Sequence, residues 1–420
     1  MAKRILLTTT GSLGDLHPFI AIGLELRSRG HAVTLATSNF YRPKVEQTIL
    51  KFAPMGPHLG VEISEVMDRV MDLKKGPEYL IRHLLYSSVP AAYAEVMEAV
   101  RGADLIVTHP ITFAAQIAAE KTGMPWVSTV TAPLSFFSRF DPSVMAPYPS
   151  FIKLRALGPA FFGVIKKLAR VVTKPWLGPI TRFRASVGLP PGQDPILEGQ
   201  HSPQRVLAMF SPLMGAPQPD WPAQTLVTGF PFYDQAEHGQ GIDPDLERFL
   251  DVGPPPVVFT LGSSAVQSAG NFYHESIAAV QRLGSRAVLL VGGNSFQEPL
   301  PSGTVAFPYA PFSNIFSRAA VIVHQGGIGT CAQALAAGRP MLVVPFAFDQ
   351  PDNAARLQRL GVGRTIPRKH YTAQRAFSEL QPLLSDPTYA ASAVDVAHNI
   401  AKENGVLAAS DAIENHPLAR

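Results

Sequence analysis

The same succession of apolar strand, glycine-serine turn, helix and second strand occurs once in each half of this 420-residue chain. In the first half the predicted strand 4–10 runs into a turn at 11–12, and in the second half the predicted strand 256–261 runs into a turn at 262–263. Because helical connections join parallel neighbours, this succession favours an open parallel sheet covered by helices. The sequence therefore predicts an α/β fold with two similar halves.

Proline and glycine mark the division between these halves. The 39 prolines and 33 glycines belong to a chain that is 46% apolar and 16% charged, a composition that excludes a disordered or fibrous protein. The proline-rich stretch 212–256 has few regular runs, as is typical of an interdomain connection. We place the boundary near residue 235. The prediction is an N-terminal domain over 1–235 with the connection at its end, a C-terminal domain over 236–395, and a final helix over 396–420 that packs back on the first domain.

Charge and cysteine content exclude several classes of protein. The 36 basic and 32 acidic residues leave a net charge of +4, which is too weak to indicate a nucleic-acid-binding protein. The single cysteine, Cys331, excludes an internal disulfide and a cysteine-based zinc site, so no oxidising compartment is required. The N-terminal apolar run is too short for a signal peptide, and no stretch reaches the ~20 apolar residues of a membrane span. We expect a cytoplasmic protein.

The most informative motif is the segment 324–330, which reads His-Gln-Gly-Gly-Ile-Gly-Thr and follows the apolar strand 320–323. Ligands of open α/β sheets bind beyond the carboxyl ends of the strands. Glycines at a helix start leave backbone N–H groups at the positive end of the helix dipole, and such groups bind phosphate. The spacing is not that of a P-loop, because no Gly-Lys-Ser/Thr follows. The alternative is a turn that only brings helix and strand together; we favour a phosphate site with His324 beside it.

A second loop follows the predicted strand 341–346. It carries Asp349 and Gln350, whose carboxylate and amide groups suit hydrogen bonds to the hydroxyl groups of a sugar. The alternative is capping of the helix that begins near Asn353, for which Asp352 is better placed.

Asp15 lies in the loop 11–18, ahead of a helix predicted over 19–28. This loop lacks the G-x-G-x-x-G spacing of a dinucleotide site, and no acidic residue ends the second strand, which argues against NAD. Two interpretations of Asp15 remain open. It is either a helix N-cap or a carboxylate that accepts a proton from the hydroxyl of an acceptor molecule as that hydroxyl attacks.

These residues carry a family resemblance. The segment 324–350, together with Gly14-Asp15-x-x-Pro18, resembles the GT-B glycosyltransferases of the nucleotide-sugar-dependent UDP-glycosyltransferase family. The rhamnosyltransferases of rhamnolipid synthesis are nearest, in a branch with sterol and antibiotic enzymes, and the similarity extends over residues 4–390. The shared motifs are His-x-Gly-Gly-Ile-Gly at 324–329, Leu-Ala-Ala-Gly at 335–338, Asp-Gln-x-Asp-Asn-Ala at 349–354, Trp-Pro at 221–222 and Thr-Gly-Phe-Pro at 228–231. The resemblance implies two Rossmann-like domains that face each other across a cleft.

The resemblance also implies a donor site in the C-terminal domain. His324 would contact the diphosphate, Tyr309 would stack on the nucleobase, and Ala310 would pair with the base through its backbone. Asp349 and Gln350 would hold the transferred sugar. The implied donor-binding residues are Ser263, Tyr309, Ala310, His324, Gly326, Gly327, Gly329, Thr330, Asp349 and Gln350.

Asp15 falls on the position of the family's catalytic base, and His109 on that of its supporting partner. The implied reaction inverts the anomeric centre of a hexose and needs no metal and no cofactor besides the nucleotide-sugar co-substrate. The sequence Asp243-Pro-Asp245 has the form of a metal-binding Asp-x-Asp, but its place before a helix favours a cap. Ala332 stands where plant members have a Glu that binds both ribose hydroxyls, so the donor stays open between dTDP- and UDP-sugars.

The acceptor side is marked by a segment, 142–193, that has no acidic residue. Its basic residues, interleaved with apolar ones, are Lys153, Arg155, Lys166, Lys167, Arg170, Lys174, Arg182 and Arg184. One interpretation is peripheral contact of residues 151–184 with the inner membrane, and the other is a solvated helix face over the acceptor pocket. Both favour a hydrophobic acceptor. We expect its pocket to be lined by Phe136, Phe137, Phe140 and Tyr148.

Two functions remain in competition. The first is an inverting hexosyltransferase of bacterial glycolipid or secondary metabolism, acting on a hydroxyl of a lipid hydroxy acid, sterol, polyketide or phenolic acceptor. The second is a protein of the same fold that binds a nucleotide sugar without transfer, either an epimerase or an inactive partner subunit. Asp15 favours the first, because an inactive partner has little reason to keep a base.

Overall fold

The computed structural model describes residues 2–58, 63–233 and 241–417. It contains two parallel β-sheets. The strands of the first sheet are β1 (Arg4–Thr8), β2 (Ala32–Thr37), β3 (Lys51–Pro54), β4 (Leu105–Thr108), β5 (Trp126–Val130), β6 (Val206–Ala208) and β7 (Thr225–Val227). Those of the second are β8 (Val257–Thr260), β9 (Ala287–Leu290), β10 (Thr304–Phe307), β11 (Val321–His324), β12 (Met341–Val343) and β13 (Gly363–Thr365). The strand orders are β3-β2-β1-β4-β5-β6-β7 and β10-β9-β8-β11-β12-β13. The predicted α/β fold with two similar halves is confirmed.

Helices connect the strands in both halves. The first half contains α1 (Leu13–Ser28), α2 (Arg42–Glu46), α3 (Ile63–Val70), α4 (Gly76–Glu78), α5 (Tyr86–Val100), α6 (Phe113–Thr122), α7 (Gly158–Thr173) and α8 (Gly178–Ser186). The second half and the chain end contain α9 (Pro244–Asp251), α10 (Gly262–Ala265), α11 (Phe272–Leu283), α12 (Phe312–Phe316), α13 (Ile328–Ala336), α14 (Gln350–Arg359), α15 (Ala373–Ser385), α16 (Pro387–Ile400) and α17 (Gly405–Glu414). Short 3₁₀ segments lie at Asn39–Tyr41, Pro133–Phe136, Pro149–Leu157, Lys174–Leu177, Val266–Ser268 and Arg368–His370, with a π-helical turn at Tyr79–Leu85. Within the described ranges, no helix is both long and apolar enough to cross a bilayer.

Successive side chains of a strand pack into two different cores, one on each face of the sheet. In β1, Ile5 and Leu7 pack in the core shared with α1 and α17, whereas Leu6 packs in the core shared with α5 and α6. In β8, Val258 and Phe259 likewise enter different cores. Because successive side chains of a strand point to opposite faces, continuous apolar runs require helices on both sides of the sheet.

Helix α1 begins earlier than the predicted 19–28. The prediction placed Pro18 in the loop ahead of the helix. Instead Ser12 is the N-cap, and Pro18 lies inside the helix, where its missing N–H removes one backbone hydrogen bond. The first turn of α1 therefore includes Asp15.

The connection between the sheets is shorter than predicted. The stretch 212–256 contains β7, which pairs with β6 at the edge of the first sheet, and α9, which buries Leu246 and Leu250 in a core that both halves share. The boundary predicted near residue 235 lies outside the described residues.

The last helix returns to the first sheet. Ala409 and Ile413 of α17 pack in the core beside α1. Arg29, the C-cap of α1, donates to Asp411 at 2.6 Å and to Glu414 at 2.9 Å. The end of the chain is thus fastened to the first half.

A buried ion-pair network joins the two halves. Arg356 of α14 is 2% exposed and donates to Asp352 at 2.7 Å, to Asp141 at 2.5 Å and to the Met214 carbonyl at 2.8 Å. Asp352 also accepts a hydrogen bond from the Val144 backbone N–H at 2.8 Å. Because Asp141, Val144 and Met214 belong to the first half, this network holds α14 against it.

Candidate active site

The turns that end β1, β8 and β11 converge between the two sheets. The Leu13 backbone N–H donates to Ser263 Oγ at 3.3 Å, and a Cβ placed on Gly329 would lie 3.3 Å from Gly14 Cα. The first turns of α1 and α13 therefore approach so closely that a side chain larger than hydrogen is tightly confined. The glycine turns of the two halves therefore face each other, and we call these two sides the first and the second wall.

Asp15 is held on the first wall by three hydrogen bonds. His109, directly after β4, lies with Nε2 3.1 Å from Asp15 Oδ1. The Ile111 backbone N–H lies 3.4 Å from His109 Nδ1, which assigns the ring proton to Nε2 and makes the imidazole a donor to Asp15. Asp15 Oδ2 accepts from the Ser12 backbone N–H at 2.8 Å and from the Ser12 hydroxyl at 2.9 Å. The carboxylate is thereby fixed in position.

These contacts also determine the charge of Asp15. Burial disfavours the ionised carboxyl, but the hydrogen bond from His109 and the two bonds from Ser12 outweigh burial and hold the pKa of Asp15 below its ordinary value. The Asp15 side chain is 25% exposed and that of His109 only 4%. The accessible group is therefore an ionised carboxylate, with a buried imidazole behind it.

The N-cap interpretation of Asp15 is corrected by the helix geometry. Ser12 caps α1, and Asp15 occupies the third helical position, from which it bonds back to the Ser12 N–H in a capping box. The carboxylate stabilises the helix start without being its cap, because the helix begins before the predicted residue.

His324 ends β11 in a fully buried position on the other wall. The Gly326 backbone N–H donates to its Nδ1 at 3.1 Å, so the ring proton is on Nε2. Nε2 has no hydrogen-bond partner among the described residues, and burial lowers the pKa of His324 to about 3. The imidazole is a neutral N–H donor that lacks an acceptor, a deficiency that a phosphate oxygen would remove.

The glycines after His324 turn the chain into α13. Gly326 has φ +90°, and a Cβ there would lie 2.8 Å from Val343 Cγ1. Gly327 is the N-cap of α13, and the first N–H groups of a helix have no partner within it. Thr330 lies in the first turn, 3.4 Å from the Gln325 amide nitrogen. His324, the glycines and Thr330 therefore form one group of donors.

Asp349 lies beside this group at the start of α14. Asn353 donates to Asp349 Oδ2 at 2.7 Å and to the Gly326 carbonyl at 2.9 Å, which links Asp349 to the glycine turn. Burial raises the pKa of Asp349 to about 7, aided by the charge of Asp15 and opposed by the bond from Asn353. The influence of Asp15 on this pKa connects the two walls electrostatically.

Gln350 uses one end of its amide within the protein. Its oxygen accepts from the backbone N–H groups of Phe346 and Ala347 at 2.7 and 3.0 Å. The amide NH₂ is therefore the end that is left to donate to a ligand.

Residues without an assigned role in the sequence analysis complete the site. Ser12 and Asn353 orient the carboxylates of Asp15 and Asp349. A Cβ on Gly11 would lie 2.4 Å from Asp15 Oδ2. The sequence signals for these residues were the place of Gly11 and Ser12 in the turn before Asp15 and the place of Asn353 in the shared motif at 349–354.

Comparison with known proteins identifies the family. The glycosyltransferase family 28 N-terminal domain matches residues 5–135, and the C-terminal domain of erythromycin biosynthesis protein CIII-like enzymes matches residues 276–406. Over 419 residues the chain is 34% identical to O-mycaminosyltylonolide 6-deoxyallosyltransferase of Streptomyces fradiae, covering 96% of this chain and 95% of that protein. The chain belongs to the GT-B glycosyltransferases of the antibiotic type. It is accordingly a glycosyltransferase that uses a nucleotide sugar, and the family resemblance drawn from its sequence is confirmed.

Solved structures share the fold of this glycosyltransferase. The glycotransferase of kitacinnamycin matches with a TM-score of 0.74 and 21% identity, over 99% of this chain and 100% of that one. Glycosyltransferase VinC in complex with dTDP matches with a TM-score of 0.67 and 19% identity, over 98% of both chains.

The residues expected at the nucleobase lie in the loop after β10 of the glycosyltransferase. The Tyr309 side chain is 47% exposed, whereas Ala310 is buried in the core that both halves share. Tyr309 thus presents an accessible ring at the carboxyl end of the second sheet.

The four aromatic residues expected in the acceptor pocket do not form one group. Phe136 stacks on Trp221 at 3.9 Å between ring centroids and on His201 at 5.4 Å, so its ring is enclosed in the core instead of lining a cavity. Phe137 and Phe140 are half-buried, with Phe137 at φ +46°. Tyr148 is 60% exposed on the surface, stacked on Phe151. Phe137 and Phe140 remain the candidates for a pocket wall.

Asp243 and Asp245 have structural partners in this glycosyltransferase. Asp243 caps α9 by accepting from the Asp245 N–H at 2.8 Å, and Asp245 pairs with Arg248. In the described part of the chain, no three His, Cys, Asp or Glu side chains are grouped so that they could hold a metal ion.

Proposed function

We propose that this glycosyltransferase transfers a hexose, with inversion and without a metal ion, from a dTDP- or UDP-sugar to a hydroxyl of a hydrophobic acceptor. The observation that carries the proposal is the arrangement of a carboxylate on one wall and a group of N–H donors on the other. Asp15 is an accessible, ionised carboxylate on the first domain, and the unpartnered His324 N–H lies with the α13 N-terminus on the second domain. A base and a diphosphate site on opposite walls are the parts that an in-line displacement needs.

In this reaction Asp15 accepts the proton of the acceptor hydroxyl. The acceptor oxygen forms its bond to the anomeric carbon while the bond from that carbon to the diphosphate oxygen breaks, and the electron pair leaves with the diphosphate. A carboxylate with a lowered pKa is a weak base for a free alcohol, so the proton moves as the new bond forms. His109 and Ser12 act by orienting the carboxylate.

The second wall stabilises the departing diphosphate. Negative charge grows on it during the displacement, and the N–H groups at the start of α13 and His324 Nε2–H are preorganised donors for that charge. Such donors supply the stabilisation that a divalent cation gives in other transferases.

Asp349 and the NH₂ group of Gln350 are the sugar-binding groups in the proposal. Their place next to the glycine turn, through Asn353, supports contact with a sugar attached to the diphosphate. The Ala332 side chain has no polar group for a ribose hydroxyl, which agrees with a deoxyribose donor, and the dTDP bound to VinC supports the same choice. UDP remains the alternative.

A donor panel with product analysis tests the proposed function. Thermal shifts with UDP, dTDP and their sugars identify the nucleotide, because stabilisation grows with the logarithm of ligand concentration over Kd. The product with a macrolide or other hydrophobic alcohol is then examined by NMR for its anomeric configuration. We expect the anomeric configuration opposite to that of the donor. We also expect that the rate of product formation does not change when EDTA is added. A product of retained configuration would contradict the role of Asp15, and nucleotide binding without any transfer would favour the non-transferring alternative.

A further inference from the structure

The exposed apolar side chains of this protein are concentrated in one stretch. In the described ranges, nine of the seventeen exposed large apolar side chains lie between Met145 and Val172. Val171 and Val172 are 69% and 68% exposed. A cluster of large apolar side chains in water is typical of an interaction surface.

Helix α7 in this stretch turns its apolar face outward. Val164, Leu168 and Val171 are spaced four and three residues apart, which puts them on one side of the helix, and each is more than half exposed. The opposite side is fastened to the protein: Phe162 is buried there, and Lys166 is paired with Glu198 at 3.2 Å. The apolar side is therefore available to a partner.

The charge left uncompensated around this helix is positive. Four of the eight basic residues between 142 and 193 are paired with acidic residues from outside the segment; the paired residues are Arg155, Lys166, Arg170 and Arg184. The other four are exposed and make no salt bridge to a described residue; they are Lys153, Lys167, Lys174 and Arg182. The surface thus combines exposed apolar side chains with uncompensated positive charge.

We propose that the outward face of α7, defined by Val164, Leu168, Val171, Val172, Lys167 and Lys174, docks this glycosyltransferase on an anionic lipid surface. An interfacial helix inserts its apolar side chains at the boundary between headgroups and acyl chains, while its lysines attract anionic headgroups. The exposed, stacked pair of Tyr148 and Phe151 suits the headgroup level, where aromatic rings are enriched.

The same charge pattern argues against a second copy of the chain as the occupant. A two-fold axis through this face would bring the lysines of one copy against those of the other. Like charges opposed across an interface are destabilising, and the segment contains no acidic residue to compensate them.

Vesicle co-sedimentation of the full chain tests the proposal. We compare pure phosphatidylcholine with phosphatidylcholine that contains about 30% phosphatidylglycerol, at low and high salt. The apolar variant is Leu168→Ser with Val171→Ser, and its control is Val252→Ser, which changes a side chain as exposed as Val171 in the other domain. The charge variant is Lys167→Glu with Lys174→Glu, and its control is Lys51→Glu with Lys402→Glu.

We expect the wild type to sediment with anionic vesicles only, less at high salt, and each face variant to lose at least about tenfold in vesicle affinity. Both controls bind as the wild type does, and all variants keep its unfolding temperature, because the changed residues are exposed. Absence of binding to anionic vesicles would overturn the proposal in favour of an acidic protein partner. Face variants that bind vesicles like the wild type would also overturn the proposal. A wild-type dimer in sedimentation velocity, if the variant Leu168→Ser with Val171→Ser is a monomer, would overturn it as well.

Discussion

Replacement of Gly11 by alanine measures how closely transfer depends on the position of Asp15. Gly11 has φ +124°, and a Cβ there would lie 2.4 Å from Asp15 Oδ2 and 2.9 Å from Asp15 Cγ. Because non-bonded atoms prefer about 3.5 Å, the carboxylate must move by about 1 Å. A displacement of that size in a reacting group costs about 10²-fold in rate. We therefore expect kcat to fall about 10²-fold in Gly11→Ala.

The matched control is Gly30→Ala at the end of α1. Gly30 also has a positive φ, +89°, but a Cβ there meets no atom within 4 Å. Both variants should lose about 1–2 kcal/mol of unfolding free energy through backbone strain, as measured by urea denaturation. Only Gly11→Ala should lose kcat, measured from initial rates at saturating donor and acceptor, while its nucleotide-induced thermal shift stays. A Gly11→Ala enzyme with the kcat of Gly30→Ala would refute the reasoning.

The other predictions concern the second wall and the link between the halves. His324→Ala should lower kcat/KM for the donor by at least about tenfold through loss of the buried N–H donor, and unchanged kinetics would exclude its contact with the diphosphate. Arg356→Met should lower the free energy of unfolding by about 3–5 kcal/mol, because the buried Asp352 loses its counter-charge while Asp141 keeps only Arg155 and Arg359; an unchanged urea midpoint would contradict this. Since the pKa of Asp349 is raised to about 7, the folded chain keeps a proton that the unfolded chain releases above about pH 4. The stability of the ligand-free wild type should therefore fall relative to Asp349→Asn between about pH 4 and 7, whereas parallel pH profiles would be inconsistent with that pKa.

Most of the fold was predictable from apolar runs in the sequence and from the glycine turns that end them. The apolar runs that became β1, β8 and β11 end at glycine turns, and these local signals do not depend on distant contacts. The start of α1 was not predictable in the same way, because Pro18 is tolerated inside the helix. β7 was missed since its three residues form a strand only by pairing with β6.

The site was predictable where its residues lie at the end of a strand or in the loop that follows one. His324 ends β11 and Asp349 lies in the loop between β12 and α14, and both contact residues close to them in the sequence. The contact of Asp15 with His109 joins residues 94 positions apart, and only the family resemblance indicated it. The network of Arg356 with Asp141 spans 215 positions, and no local pattern in the sequence points to it. Phe136 was misjudged because an apolar loop residue can face either a pocket or the core.

Asp15→Asn tests most directly whether a carboxylate on the first domain deprotonates the acceptor while the second domain holds the donor. Ser12→Ala is the matched control, because it removes the hydroxyl that bonds the same carboxylate at 2.9 Å but keeps the carboxylate. Product formation is measured at saturating substrates, and nucleotide binding by thermal shift. We predict that Asp15→Asn loses at least about 10²-fold in kcat with its nucleotide-induced shift intact, and that Ser12→Ala loses less. Wild-type kcat in Asp15→Asn would contradict the account.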